Sequence, residues 1–376
     1  MELDTLSSSK TTSLNDAIIA LCNVAEPVKS QFVAFRRFYH EMTHTDEQTG
    51  DISVYSGNPG LASHTAVLRA VDILKYLCNE ASGLEAFQQA AFPDCLPKER
   101  KAAARITARL AFMIDPSSRD IYSMLYRIEN EDAYPVKWLP NQTFIQFFHA
   151  AFPTDSEDCW YSNNKCKDLT AWSLRKRLGI VIIPTNDLAE HLVYNPKRKT
   201  LAVFHQVEYL KAQVRYTADR SLEESIEMSF ANGTLPPQLL FETLYTIYEI
   251  LFPYVTDDES DALARELTTT NGLDNASDSA FDPNLMVWDG LFRTGQSSSC
   301  FEFVYWTKRL RNLQAAVDHP PPSNMVVSWA ERHTSERTAL TVALIGLFLT
   351  ALFGLLSFLV GIAQLVVSLE QNKLGS

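Results

Sequence analysis

The chain is poor in positive charge: Lys and Arg number 33 against 45 Asp and Glu, a formal net charge of -12. That excludes a general electrostatic grip on nucleic acid phosphates, so any anion binding has to be local. Its six cysteines, Cys22, Cys78, Cys95, Cys159, Cys166 and Cys300, form no C-x-x-C pair and no short regular spacing. A disulfide scaffold or zinc ribbon is thereby excluded. Cys159 and Cys166 are near enough to bridge a loop, but buried single thiols are the expectation in a reducing compartment. No G-x-x-x-x-G-K-[ST], G-x-G-x-x-G or G-x-S-x-G occurs. Nucleotide hydrolysis, dinucleotide binding and elbow-type hydrolase chemistry therefore lack their usual markers. Met1 to Asn15 holds Glu2, Asp4 and a Ser/Thr run where a secretory leader needs a basic start and an apolar centre. No internal repeat is visible either.

What the chain does have is apolar content. It runs to 376 residues, 46% hydrophobic and 21% charged, enough for one large core or two ordinary ones. From Ala339 to Leu369 there is no charged residue, and Leu, Val, Ile, Phe and Ala dominate. At ~1.5 Å per residue such a run exceeds the roughly 30 Å of bilayer hydrocarbon, which predicts one transmembrane helix and leaves too little for two. Arg332 and Arg337 precede it, with Lys308, Arg309 and Arg311 further back, and only Lys373 follows. The positive-inside rule then predicts a cytosolic head and a C-terminus that has crossed. So short a remainder after Leu369 implies insertion after synthesis ends, the behaviour of a single-pass, tail-anchored protein. Its organelle is not set by the length of the span. Three N-x-[ST] acceptors, Asn141, Asn232 and Asn275, would carry glycans only if the head were lumenal, and read as chance matches otherwise.

Along the chain, residues 1–13 read as a disordered polar tail and 14–160 as a helical region. Pro27 is placed to start a helix bearing Phe32, Val33, Phe35 and Phe38. Val67, Leu68, Val71, Leu74 and Leu77 mark a second, and a third runs from Pro97 until Asp115-Pro116 stops it. Residues 161–318 read as an α+β region continuing the same head. Leu169 to Leu178 is a basic helix ended by Gly179, and Ile180 to Ile183 a strand closed by Pro184. His191 to Tyr194 and Thr200 to His205 flank a five-residue turn and predict a hairpin. Gly233 to Pro253 and Phe301 to Val317 return to helix, either side of an acidic, Ser/Thr/Asn-rich loop over Thr256 to Pro283. Residues 319–337 form a Pro-rich spacer and juxtamembrane segment, 338–369 the membrane helix and 370–376 a short tail. The fold class predicted is α+β: a predominantly α-helical head with a small antiparallel hairpin or sheet, plus one C-terminal transmembrane helix.

Several of these segments form an ordered series of motifs. They are Leu174-Arg175-Lys176-Arg177-Leu178-Gly179-Ile180, Thr185-Asn186-Asp187-Leu188-Ala189-Glu190-His191-Leu192, Val203-Phe204-His205 and Tyr209-Leu210-Lys211. Gly233-Thr234-Leu235-Pro236, Ile250-Leu251-Phe252-Pro253 and Phe281-Asp282-Pro283 follow, then a terminal hydrophobic helix after Trp329. The series, from about Trp138 onward, resembles a large family of uncharacterised filamentous-fungal proteins with a C-terminal transmembrane helix. The resemblance implies an anchored head and brings no activity, cofactor or catalytic residue with it.

Three constellations suggest chemistry or binding. His40-Glu41-Met42-Thr43-His44 is a literal H-E-x-x-H. On a helix its two imidazoles can share Zn²⁺ while Glu41 polarises a metal-bound water, and His64 is available as third ligand. Against this, Glu47 stands where the extended motif needs Gly, and Thr45 to Gly50 ends the helix at once. The basic clusters Arg175-Lys176-Arg177 and Lys197-Arg198-Lys199 suit anionic lipid headgroups, though a helix exterior and a hairpin tip carry such residues ordinarily. Within the apolar run, Gly346, Thr350, Gly354, Ser357 and Gly361 recur at steps of three and four, a stripe that permits close helix packing. Self-association or pairing with a partner membrane helix would use it. The reading that follows is a membrane-tethered, non-enzymatic adaptor or scaffold without cofactor. Its rival is a membrane-tethered zinc hydrolase on His40, Glu41 and His44.

Overall fold

The computed structural model describes residues 12–25, 31–46, 49–53, 58–78, 82–117, 137–154, 160–161, 169–253, 257–269, 281–287, 302–318 and 339–374. Cys159, Cys166, Cys300, Asn275, Trp329, Arg332, Arg337 and the proline spacer lie outside them, as do Pro27 and residues 270–280. The loop expected over Thr256 to Pro283 is not one: Asp258–Thr268 is a helix, capped by Asp257, whose side chain accepts from the Ser260 N–H. The chain divides into two units, Met1–His319 and Pro320–Ser376.

The first unit is mostly helical. Among its described elements are α1 (Leu14–Cys22), α2 (Val33–Thr43), α3 (His64–Cys78), α4 (Leu84–Ala91), α5 (Pro97–Phe112) and α6 (Phe144–Ala151). Their boundaries have local causes. Ser13 and Asp16 form a reciprocal capping box on α1, and Thr143 and Gln146 do the same on α6. Pro97 opens α5, whose end comes at Met113 in the left-handed region (φ 55°), before the Asp115-Pro116 stop the sequence suggests. α2 starts at Val33, with Phe32 as its N-cap, and buries Phe35 and Phe38 while Val33 faces outward. α3 packs against α4 and α5. Aromatic side chains bind these helices together: Phe112, Phe144 and Phe148 all meet Phe230 edge-on at 5.1–5.3 Å, and Trp138 stacks on Phe87 and Phe147.

The α+β part follows with β1 (Trp160–Tyr161), α7 (Ala171–Leu178), β2 (Val181–Thr185), β3 (Val193–Asn195), β4 (Thr200–Phe204), α8 (Val207–Tyr216), α9 (Ile226–Ala231) and α10 (Pro237–Tyr245). A π-turn, Thr246–Leu251, prolongs α10, and α11 (Asp258–Thr268), β5 (Glu302–Phe303) and α12 (Thr307–Asp318) complete the unit. The expected hairpin is present: β3 pairs antiparallel with β4, Tyr194 opposite Leu201. The sheet is nevertheless mixed, in the order β2-β4-β3, because β2 runs parallel to β4. Pro184 lies inside β2 rather than after it. Val181 donates to the Lys199 carbonyl and His205 to that of Thr185, so the odd-numbered residues of β2 face β4. Residue 184 therefore points to the free edge, where proline's missing N–H costs no ladder bond. Phe301 to Val317 is likewise not one helix, since β5 pairs with β1 before α12 begins.

The second unit contributes α13 (Ala339–Leu374), a helix of 36 residues. Its side chains are described from Gly346 to Ile362 and at Gln364, and every one of them is exposed. Among the described residues no helix is long and apolar enough to cross a membrane. The stretch with described side chains spans about 25 Å at ~1.5 Å per residue, short of a bilayer's roughly 30 Å.

Candidate functional site

Helix α8 is buried on every side from Val207 to Gln213, yet it carries Glu208, Lys211 and Gln213. Lysine and glutamate are almost never so enclosed unless paired. Lys211 Nζ donates to Glu208 Oε1 at 3.1 Å and to the Val287 carbonyl at 2.5 Å, and stands 5.3 Å above the Tyr248 ring. The start of α8 is capped from a distance: Asp282 Oδ2 accepts the Glu208 N–H at 3.3 Å while Oδ1 accepts that of Asn284 at 3.0 Å. Burial pushes the Asp282 carboxyl up to about 6, against the pull of those donors. Gln213 accepts from Asn23 at 3.1 Å, joining α8 to the end of α1.

The turn between β4 and α8 adds His205. Its Nε2 meets Asn186 Oδ1 at 2.9 Å, and Gln206 donates to the same oxygen at 2.6 Å. Because Asn186 Oδ1 only accepts, Nε2 holds the proton and Nδ1 is bare. Burial, helped by the Arg37 charge, lowers this imidazole to about 3. His205 is thus a neutral spacer wedged against the edge of Phe281, not a proton carrier near neutral pH.

A second polar knot meets the end of β4 at Phe204. His191 Nδ1 accepts the Phe204 N–H at 3.1 Å, so Nε2 is the donor to Thr246 Oγ1 at 2.6 Å. Thr246 passes its own proton to the Thr243 carbonyl at 2.7 Å. Trp306 donates to Thr243 Oγ1 at 3.0 Å, and Arg309 donates to the His191 carbonyl while lying 4.9 Å over the Trp306 ring. The imidazole is held well below its ordinary pKa by burial and by Arg309. Beside this knot, Glu242 takes the N–H groups of Val304 (2.6 Å), Tyr305 (2.9 Å) and Trp306 (3.1 Å), plus Gln238 Nε2 at 2.8 Å. Burial raises Glu242 to about 7 against those four bonds. Its carboxylate ties the approach to α12 onto α10. The π-turn falls where Thr246 reaches His191, the kind of helix irregularity that often marks a specialised position.

These bonds cross-brace α8, α10, α12 and the sheet, while His205 Nδ1 and Asn284 Nδ2 are buried without a hydrogen-bond partner.

The residues singled out by sequence fall elsewhere. α2 ends at Thr43, and His44 is its left-handed cap (φ 53°), so His40 and His44 do not share a continuous helical face. His64 is occupied: Nδ1 pairs with the Tyr39 hydroxyl and Nε2 with the Gly50 carbonyl, each at 2.7 Å. Among the described residues no group of three or more His, Cys, Asp or Glu gathers as a metal set would. Asn141 and Asn232 are exposed, but Thr143 caps α6 and Thr234 is buried, accepting from Arg220 at 2.8 Å. In α13, Thr350 donates to the Gly346 carbonyl at 2.8 Å, and a Cβ added to Gly346, Gly354 or Gly361 would touch nothing within 4 Å. The basic residues Arg175, Lys176, Arg177, Lys197, Arg198 and Lys199 are all exposed.

No family model, curated protein or solved structure matches the chain. Several of the ordered sequence motifs set out above nonetheless contribute residues to the two knots. Asn186, His191, His205, Lys211 and Asp282 all belong to those motifs and to the two knots. Glu242 was not among them. Its signal was a lone carboxylate amid Leu239, Leu240, Leu244 and Ile247, on the inward side of a helix.

Proposed function

We propose that the chain is a single-pass, membrane-tethered protein whose head serves as a non-enzymatic adaptor or scaffold. The observation that carries this is the exposure of α13: Leu347, Phe348, Phe353, Leu355 and Phe358 are 62–71% exposed, on a helix whose sequence holds no charge from Ala339 to Leu369. An apolar surface of that extent calls for cover, and a bilayer supplies it. The head supports the adaptor half of the reading, because its buried His191, Glu208, Glu242 and Asp282 are engaged in bracing bonds. The Lys/Arg bias before α13 supports a cytosol-facing head. The order of motifs from about Trp138 onward supports grouping the chain with the filamentous-fungal proteins described above as similar.

The test is an engineered glycan acceptor on a short extension after Ser376, read by an endoglycosidase-sensitive gel shift. A single glycan puts that end in the lumen and the head in the cytosol. Additional glycans abolished by substituting Asn141, Asn232 and Asn275 put the head in the lumen and overturn the cytosolic reading.

A further inference from the structure

Two basic clusters well separated in sequence are brought side by side by the fold. Arg175, Lys176 and Arg177 form the last turn of α7, and Lys197, Arg198 and Lys199 the hairpin turn. The Val181 N–H donates to the Lys199 carbonyl at 2.8 Å, and a Cβ on Gly179, the left-handed cap of α7, would stand 3.9 Å from Lys199 Nζ. The hairpin turn therefore lies against the end of α7. Next to both, on the edge strand β2, Val181 is 58% and Ile183 40% exposed. Glu266 pairs with Arg175 at 2.8 and 3.2 Å. Lys176 is exposed, its Nζ 6.0 Å over the Trp172 ring.

Complementing the helix dipole explains cations at the end of α7, and hairpin tips commonly carry lysine. Neither explains why the two clusters meet, nor why two aliphatic side chains stay exposed beside them on a chain of net charge -12. We propose that this face docks on an anionic phospholipid surface. Lys176, Arg198 and Lys199 meet lipid phosphates and Val181 and Ile183 enter the headgroup boundary, the pairing of charge and apolar area that interfacial binding uses. The inference builds on the membrane-tethered reading, and its test separates the two.

The full-length chain is reconstituted with vesicles of phosphatidylcholine alone or with added phosphatidylserine. Flotation is scored, and amine acylation is mapped by mass spectrometry at Lys176, Lys197 and Lys199, with exposed Lys98 and Lys101 of α5 as internal references. Flotation with both vesicles, and acylation of the three lysines slowed on the order of thirtyfold by phosphatidylserine only, supports the proposal; about thirtyfold is the scale that two basic residues near an anionic surface supply. The protection should vanish at high salt and in an Arg198→Glu/Lys199→Glu variant read at Lys176 and Lys197. Flotation with both but equal acylation overturns the docking face and leaves the tether standing. Flotation only with phosphatidylserine, lost in that variant, keeps the docking face and overturns the tether. Flotation with neither overturns both.

Discussion

Glu242 has its carboxylate wrapped by three backbone N–H groups and Gln238, and burial lifts its pKa to about 7 from an ordinary 4.5. A raised carboxyl contributes stability that is full below 4.5 and is lost as pH rises through about 7. Glu242→Gln removes that dependence. In denaturant unfolding, the advantage of wild type over the variant should shrink by up to about 3 kcal/mol across this interval. An advantage that stays constant with pH would contradict the assignment. His205 works in the opposite sense, since its pKa falls from 6.5 to about 3, so its contribution is lost as pH falls through that range. At Lys211 the prediction concerns pairing. Lys211→Met leaves Glu208 buried without its cation and should cost roughly 3–5 kcal/mol. Adding Glu208→Gln should recover a large part, which a urea double-mutant cycle would read as strong coupling.

At the scale of elements, Gly179 shows what the sequence reveals and why. A glycine after a run ending Leu178 predicts a left-handed helix end, and φ is +67° there. Space is not the constraint, since an added Cβ meets only the flexible tip of Lys199 at 3.9 Å. Gly179→Ala should therefore cost about 1 kcal/mol of backbone strain, seen as a fall of a few degrees in the unfolding temperature. A neutral or stabilising effect would mean the cap relaxes. The hairpin was equally legible, because turn and alternation are local signals. The parallel pairing of β2 with β4 was not, since an apolar run such as Ile180 to Ile183 specifies a strand but not its neighbour. The H-E-x-x-H pattern was legible as letters only: α2 stops one residue before its second histidine, and tertiary contacts give His64 to Tyr39 and Gly50. The buried knots escaped for a related reason. Glu208, Lys211 and Glu242 look like surface residues until three-dimensional packing encloses them.

At the scale of the whole molecule, the chain combines a braced α+β head with a long helix, α13, whose described side chains are all exposed. In the function proposed above, the head would supply a fixed surface and α13 attachment. On that proposal, attachment depends on the apolar character of α13 and on nothing in the head's polar knots. Alkaline carbonate extraction of cell membranes measures that most directly, comparing the full chain with a variant carrying Leu347→Lys, Phe353→Lys and Phe358→Lys. The account predicts that the full chain stays with the membrane pellet and the variant, with its head still folded, moves to the supernatant. Full extraction of the unaltered chain, or retention of the lysine variant, would contradict it.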